Sequence, residues 1–245
     1  MNFTKYNTSA ETSIKYDEGL RAYMLQIFNL MAIALATTGV VAYVAGSSQG
    51  FFSMIYTQSA NGVGLSPLGW MIMLSPLFMV MFLSYKINSM SVQAAQFTFW
   101  VYSVLMGLSL APIFLAYTGE SVARTFFVSA SAFGAMSIYG YTTKRDLTGF
   151  GSFLMMGVIG ILIASVVNIF MVSSALSFAI SVIGVLVFTG LTAYDVQSLK
   201  GIYLQSARMD SEAVNKVAIH GALRLYLDFI NLFIMLLRLV GTRRD

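Results

Sequence analysis

From Ala22 to Tyr85 the chain runs for 64 residues without one charged side chain. Further charge-free runs cover Ile87–Gly119, Thr125–Thr143 and Leu147–Tyr194. A water-facing surface cannot be built from such runs. Soluble domains carry about 25% charged residues, whereas this 245-residue chain carries 10%, with 58% hydrophobic types. A helix needs about 20 apolar residues to cross a bilayer. In hydrocarbon every backbone polar group must be paired within the segment, which favours helices. The sequence therefore specifies an all-α integral membrane protein, with the lipid bilayer as its first partner.

Polar interruptions divide the runs. Gly46–Ser66 splits the first and Ser173–Ser174 splits the last. Six spans follow, at about 23–45, 67–85, 92–117, 122–141, 150–171 and 176–196. A seventh candidate, about 218–240, differs because Arg224 and Asp228 lie inside it. Residues 1–21 are polar and read as a cytoplasmic N-terminal tail, followed by a transmembrane domain over 22–245. The first span is expected to serve as an uncleaved signal anchor.

Basic residues orient the bundle. Lys5, Lys15, Arg21, Lys86, Lys144, Arg145, Lys200, Arg208 and Lys216 all fall on one side of the six spans, and only Arg124 falls on the other. The positive-inside rule places the N-terminus in the cytoplasm. Arg238, Arg243 and Arg244 break the pattern if segment 7 crosses; the alternative is that it re-enters and returns. Crossing is favoured, because 23 residues suffice for a span and the rule rests mainly on early helices. The net charge of +4 reports this topology, not a nucleic-acid partner.

Several chemistries are excluded. The chain has no cysteine and one histidine, so disulfides, thiolate sites and His-rich zinc sites are absent. There is no phosphate-binding glycine loop, no H-E-x-x-H and no EF-hand loop. His220, at the cytoplasmic mouth, has no evident nucleophile partner, so an enzyme is not expected. Ala130-x-x-x-Gly134 matches a small-residue packing motif. Asn29 and Asn168 are single amides within spans and read as interhelical hydrogen-bond donors.

The informative residues are two carboxylates. Asp195 closes the run VIGVLVFTGLTAYD, and Asp228 lies within segment 7. An intramembrane Asp costs about 2.5–3.5 kcal/mol on insertion scales, so both must face the bundle interior, a partner or water. Gly221, Arg224, Asp228 and Asn231 are spaced 3, 4 and 3 apart and share one helix face. Two readings stay open. At least one Asp is functional, or Arg224–Asp228 is a structural i,i+4 ion pair and Asp195 is a helix-end residue wetted by the cytoplasm.

The segments LTAYDVQSLK (191–200) and GALRLYLDFINLFIMLLRLVG (221–241) resemble the signatures of the Bax inhibitor family, the transmembrane Bax inhibitor motif proteins. LRAYMLQIFNLMAIALATTGVVAYVAG (20–46) and SPLGWMIMLSPLFMVMFLS (66–84) resemble bacterial members, which places the chain in the bacterial inner membrane. The resemblance covers nearly the whole chain from Leu20. It implies seven transmembrane helices, the last near the centre of two three-helix layers. It also implies a pH-sensitive calcium leak in which the residues matching Asp195 and Asp228 form a hydrogen-bonded, pH-sensing pair. Some bacterial members bind and restrain a membrane-bound AAA protease, which implies a second class of partner. Leaky members have a second-helix arginine that latches onto the pair. Here Pro67–Tyr85 has no basic residue, and Lys86 lies only at its end.

Two carboxyls in contact share a proton. Deprotonated, they repel and offer hard oxygens. Calcium takes six to eight oxygens, so Asp195 and Asp228 with Asn231, carbonyls and water would form a weak, transient site. Arg224 is the supporting cation. No tightly bound cofactor is expected; calcium is the permeant ion. The alternative is an interaction protein that modulates the protease, with the pair structural.

Overall fold

The computed structural model describes residues 3–59, 62–206 and 211–244. In chain order the elements are α1 (Phe3–Gly46), α2 (Gln49–Ile55), β1 (Tyr56–Ser59), β2 (Gly62–Leu65), α3 (Pro67–Lys86), α4 (Val92–Leu110), α5 (Ile113–Ala116), α6 (Gly119–Thr142), α7 (Thr148–Met171), α8 (Ser174–Ser206) and α9 (Ser211–Val240). Six segments are long and apolar enough to cross a membrane: Glu18–Gly46, Pro67–Lys86, Val92–Ala116, Gly119–Thr142, Thr148–Met171 and Ser174–Gln205. Met1, Asn2, Arg208 and Asp245 lie outside the described residues.

Caps and breakers set the ends. Ser66 and Ser91 each accept a backbone N–H three residues on, from Gly69 at 3.0 Å and Ala94 at 3.3 Å, and so start α3 and α4. Pro76 inside α3 cannot donate to the carbonyl of Ile72. The Ser75 hydroxyl donates to that carbonyl instead, at 2.8 Å. The polar stretch between the first two spans folds as α2 and a hairpin with Tyr56 opposite Leu65 and Ser59 opposite Gly62.

The packing is two layers about a central helix. α4 lies between α1 and α3 in one layer, and α8 lies between α6 and α7 in the other. α9 sits between the layers and touches α1, α4, α6 and α8. Hydrogen bonds fix its height. Near its start Asn215 accepts from Gln26 of α1 at 3.0 Å. Past its end the Thr242 carbonyl accepts from the Thr118 N–H at 3.1 Å, and the Thr242 N–H donates to Ser121 at 2.8 Å. Gly221 allows a close approach to α8, since a Cβ there would lie 2.7 Å from Leu199.

Aromatic rings fill the centre. Tyr226 meets Phe99 and Tyr102 edge-on at 6.0 and 5.5 Å, and Phe229 meets Phe126 and Phe133 at 5.4 and 5.6 Å. The Thr38 hydroxyl donates to the Ser103 carbonyl at 2.8 Å. Its single proton is thereby used, so in the 2.7 Å contact with Tyr226 the phenol is the donor. This chain of bonds joins α1, α4 and α9.

One expected boundary is corrected. The sixth span does not stop at 196: α8 continues to Ser206. Its polar end is tied to the loop between α6 and α7. Gln197 accepts from the Leu147 N–H at 2.8 Å and donates to the Arg145 carbonyl at 2.7 Å. Lys200 donates to the Tyr141 carbonyl at 3.2 Å and lies over the Tyr141 ring at 5.2 Å. Replacing Gln197 with Ala should cost about 1 kcal/mol, the net value of such bonds partly open to water. Thermal unfolding in detergent would show it; an unchanged midpoint would mean that the two Gln197 bonds add nothing net to stability. In the same loop, hydrogen bonds from Thr148 hold the Asp146 carboxyl below the usual carboxylate range. That contribution is present at neutral pH and is lost as pH falls below about 4.

Candidate functional site

Asp195 arrives on α8 and Asp228 on α9, the helix pair that shares the most extended contact in the bundle. Asp195 is 2% exposed and Asp228 6% exposed. The two buried carboxyls lie next to each other at the α8–α9 contact. No N–H or O–H group of another described residue reaches Asp228 Oδ2.

Among the described residues, the cation paired with this site is Arg224. Its guanidinium pairs with Asp195 across the helix interface, not with Asp228 one turn along its own helix. The i,i+4 ion pair is therefore replaced by an interhelical one. Asp195 is not a wetted helix end either, because α8 runs on past it to Ser206 and its side chain is buried. The Arg224 side chain keeps 31% of its surface exposed. It lies over the Tyr194 ring at 5.5 Å. That ring packs against Gly151 of α7, where any Cβ would lie 2.4 Å from it. α6 comes equally close: a Cβ on Gly140 would lie 2.2 Å from the Ala193 carbonyl oxygen. Two glycines thus let α6 and α7 clamp the turn that carries Asp195.

The other candidates separate. Asn231 makes no hydrogen bond with either carboxyl. It sits one turn beyond Asp228 and lines a cavity away from the pair, with Asn168 and Arg238. Asn168 does form interhelical bonds: it donates to Ser177 at 2.7 Å and accepts from the Ser173 N–H at 3.0 Å. Asn29 does not; it is exposed on α1 and makes no hydrogen bond among the described residues. His220 is exposed on α9. Among the described residues no group of three or more His, Cys, Asp or Glu gathers in a metal-holding cluster. A cation at the aspartate pair would complete its shell from carbonyls and water.

Sequence reasoning missed Tyr194 and Gln197. Both flank Asp195, and both act through tertiary contacts that helix periodicity does not encode.

Residues 20–245 match the family model described as inhibitor of apoptosis-promoting Bax1. The chain is 46% identical to the Rickettsia prowazekii protein RP147 over the full length of both. It is also 46% identical to inner membrane protein YbhL of Escherichia coli, covering 92% of this chain and 94% of that one. A Caulobacter vibrioides protein is 44% identical, with 94% and 92% covered. The chain is a multi-pass inner-membrane protein, as its apolar spans and its similarity to YbhL require. With the family model spanning both aspartate segments and the matches running end to end, the chain belongs to the Bax inhibitor family.

Proposed function

We propose that the protein is a pH-sensitive calcium leak channel, not an enzyme, gated by Asp195 and Asp228. The observation that supports this reading is charge arithmetic in a buried place. Two carboxyls and one guanidinium sum to zero when the pair holds one proton. They sum to one negative charge when that proton leaves. The neutral state ties α8 to α9. The ionised state separates the carboxyls and offers oxygen ligands to a cation. Two carboxylates give a weak calcium site, and weak binding is what conduction needs. α3 has no basic residue before Lys86, so the cation that this reading assigns to the pair is Arg224 of α9.

Flux of calcium into dye-loaded vesicles containing only this protein tests the reading. Flux should exceed that of empty vesicles and rise with pH. Removing Met1–Glu18 should leave it unchanged, whereas a role confined to binding a membrane protease through the tail would be lost. No flux above empty vesicles would overturn the channel.

The reading includes α9 as a seventh span, with the N-terminus in the cytoplasm. The bonds from Gln26 to Asn215 at one end and Thr118 to Thr242 at the other support a helix running the full height of the bundle. Reporter fusions should place residue 1 in the cytoplasm and residue 245 outside. A cytoplasmic signal from both ends would remove the seventh crossing.

A further inference from the structure

Three arginines, Arg238, Arg243 and Arg244, cluster at the end of α9 and just past it. The Arg244 guanidinium donates to the Phe114 carbonyl at 2.9 Å, and Arg243 pairs through its backbone with Tyr117. Arg238 has no such tie and no ion pair among the described residues. It is exposed, at the mouth of an open cavity of about 730 Å³ between α7, α8 and α9.

The lining decides what this cavity can hold. It contains no Asp or Glu, so with Arg238 present its field repels cations and favours anions. Its other polar groups are hydroxyls and amides, among them Ser165 and Asn168 from α7, Ser174 and Ser177 from α8, and Asn231 from α9. With Arg238 they line the cavity from three helices. Asn168 fixes the α7–α8 turn by its two hydrogen bonds, which holds the start of α8 at the cavity. The positive end of that helix adds to the charge of Arg238. Donors from several directions suit a tetrahedral oxyanion, and the guanidinium fork matches phosphate oxygens. Ligand pockets commonly span about 300–1,000 Å³, so the volume is ample for a phosphate group with its substituents.

We propose that this cavity binds a phosphate-bearing anion, with Arg238 as its charge partner and Ser174, Ser177 and Asn231 as hydrogen-bond donors. The phosphate comes either from an anionic lipid headgroup or from a soluble phosphate. The site is separate from the aspartate pair and does not depend on the channel reading.

The full-length protein is reconstituted in phosphatidylcholine containing a minor fraction of phosphatidylglycerol. The lipid retained after extraction in neutral detergent is then counted by native mass spectrometry. In parallel, inorganic phosphate is titrated against chloride at equal ionic strength, and thermal stability is followed. If the source is lipid, phosphatidylglycerol should be retained about tenfold over phosphatidylcholine, and Arg238→Gln should remove that preference, as expected for loss of a charge-assisted bond. If the source is soluble, phosphate alone should raise the melting temperature of the wild type and not of Arg238→Gln. Asn231→Ala, which leaves the charge in place, should weaken whichever response is seen severalfold, and serves if Arg238→Gln does not fold. Equal retention of both lipids together with no phosphate response, or a response that neither substitution alters, overturns the site.

Discussion

Arg224→Ala should move the pH midpoint of calcium flux upward by about one unit. With Arg224 in place, loss of the shared proton leaves one net negative charge in the bundle; without it, two. The ionised state is then harder to reach, so a higher pH is needed. One pH unit corresponds to about 1.4 kcal/mol, modest for a cation in contact with a buried carboxylate. The guanidinium is partly open to solvent, which keeps the effect from being larger. Arg224 also stacks on Tyr194. The substitution should therefore cost about 2 kcal/mol of stability, below the 3–5 kcal/mol typical of a fully buried broken pair. Arg224→Lys keeps the charge and loses the fork, so its midpoint should lie between the two. A wild-type midpoint in the Ala variant would place Arg224 outside the electrostatics of the pair.

Gly140→Val should be strongly destabilising. Its Cβ would meet a backbone oxygen 2.2 Å away, and a backbone atom cannot swing aside as a side chain can. α6 must move off α8, at about 3 kcal/mol for overpacking of this kind. The displaced segment carries Ala193, two residues before Asp195, so proton sharing between the aspartates should be disturbed as well. Gly134→Val on the same helix is the control. A Cβ there meets nothing within 4 Å, and the change should be tolerated in thermal unfolding. Equal melting of the two variants would mean that the α6–α8 contact carries little of the stability.

That pair of glycines marks where sequence reading stops. Ala130-x-x-x-Gly134 carries the recognisable small-residue spacing, yet the close approach falls at Gly140, because contact depends on how α6 is rotated against α8. Spans were legible because absence of charge over long runs is a property of the chain alone. The buried aspartates were legible for the same reason, since an ionisable group in hydrocarbon has few places to go. The partner of Arg224 was not. Periodicity pairs Arg224 with Asp228 within α9, while the fold brings Asp195 closer from α8. The same limit explains Asn29 and Asn168. Both are lone amides in apolar spans, but only Asn168 meets a neighbouring helix. Asn231 shares the helical face of Asp228, yet one further turn carries it into another cavity.

Calcium flux through vesicles containing wild type, Asp195→Asn or Asp228→Asn, scanned from about pH 5 to 8, tests the central claim most directly, since paired carboxyls titrate as a unit. Flux through the wild type should rise as the shared proton is lost. Either Asn variant should lose most of that pH dependence, because an amide cannot gain charge and one carboxyl alone beside Arg224 has no like-charged neighbour. Identical pH profiles for all three proteins would contradict the account and leave the aspartate pair as a structural tie between α8 and α9.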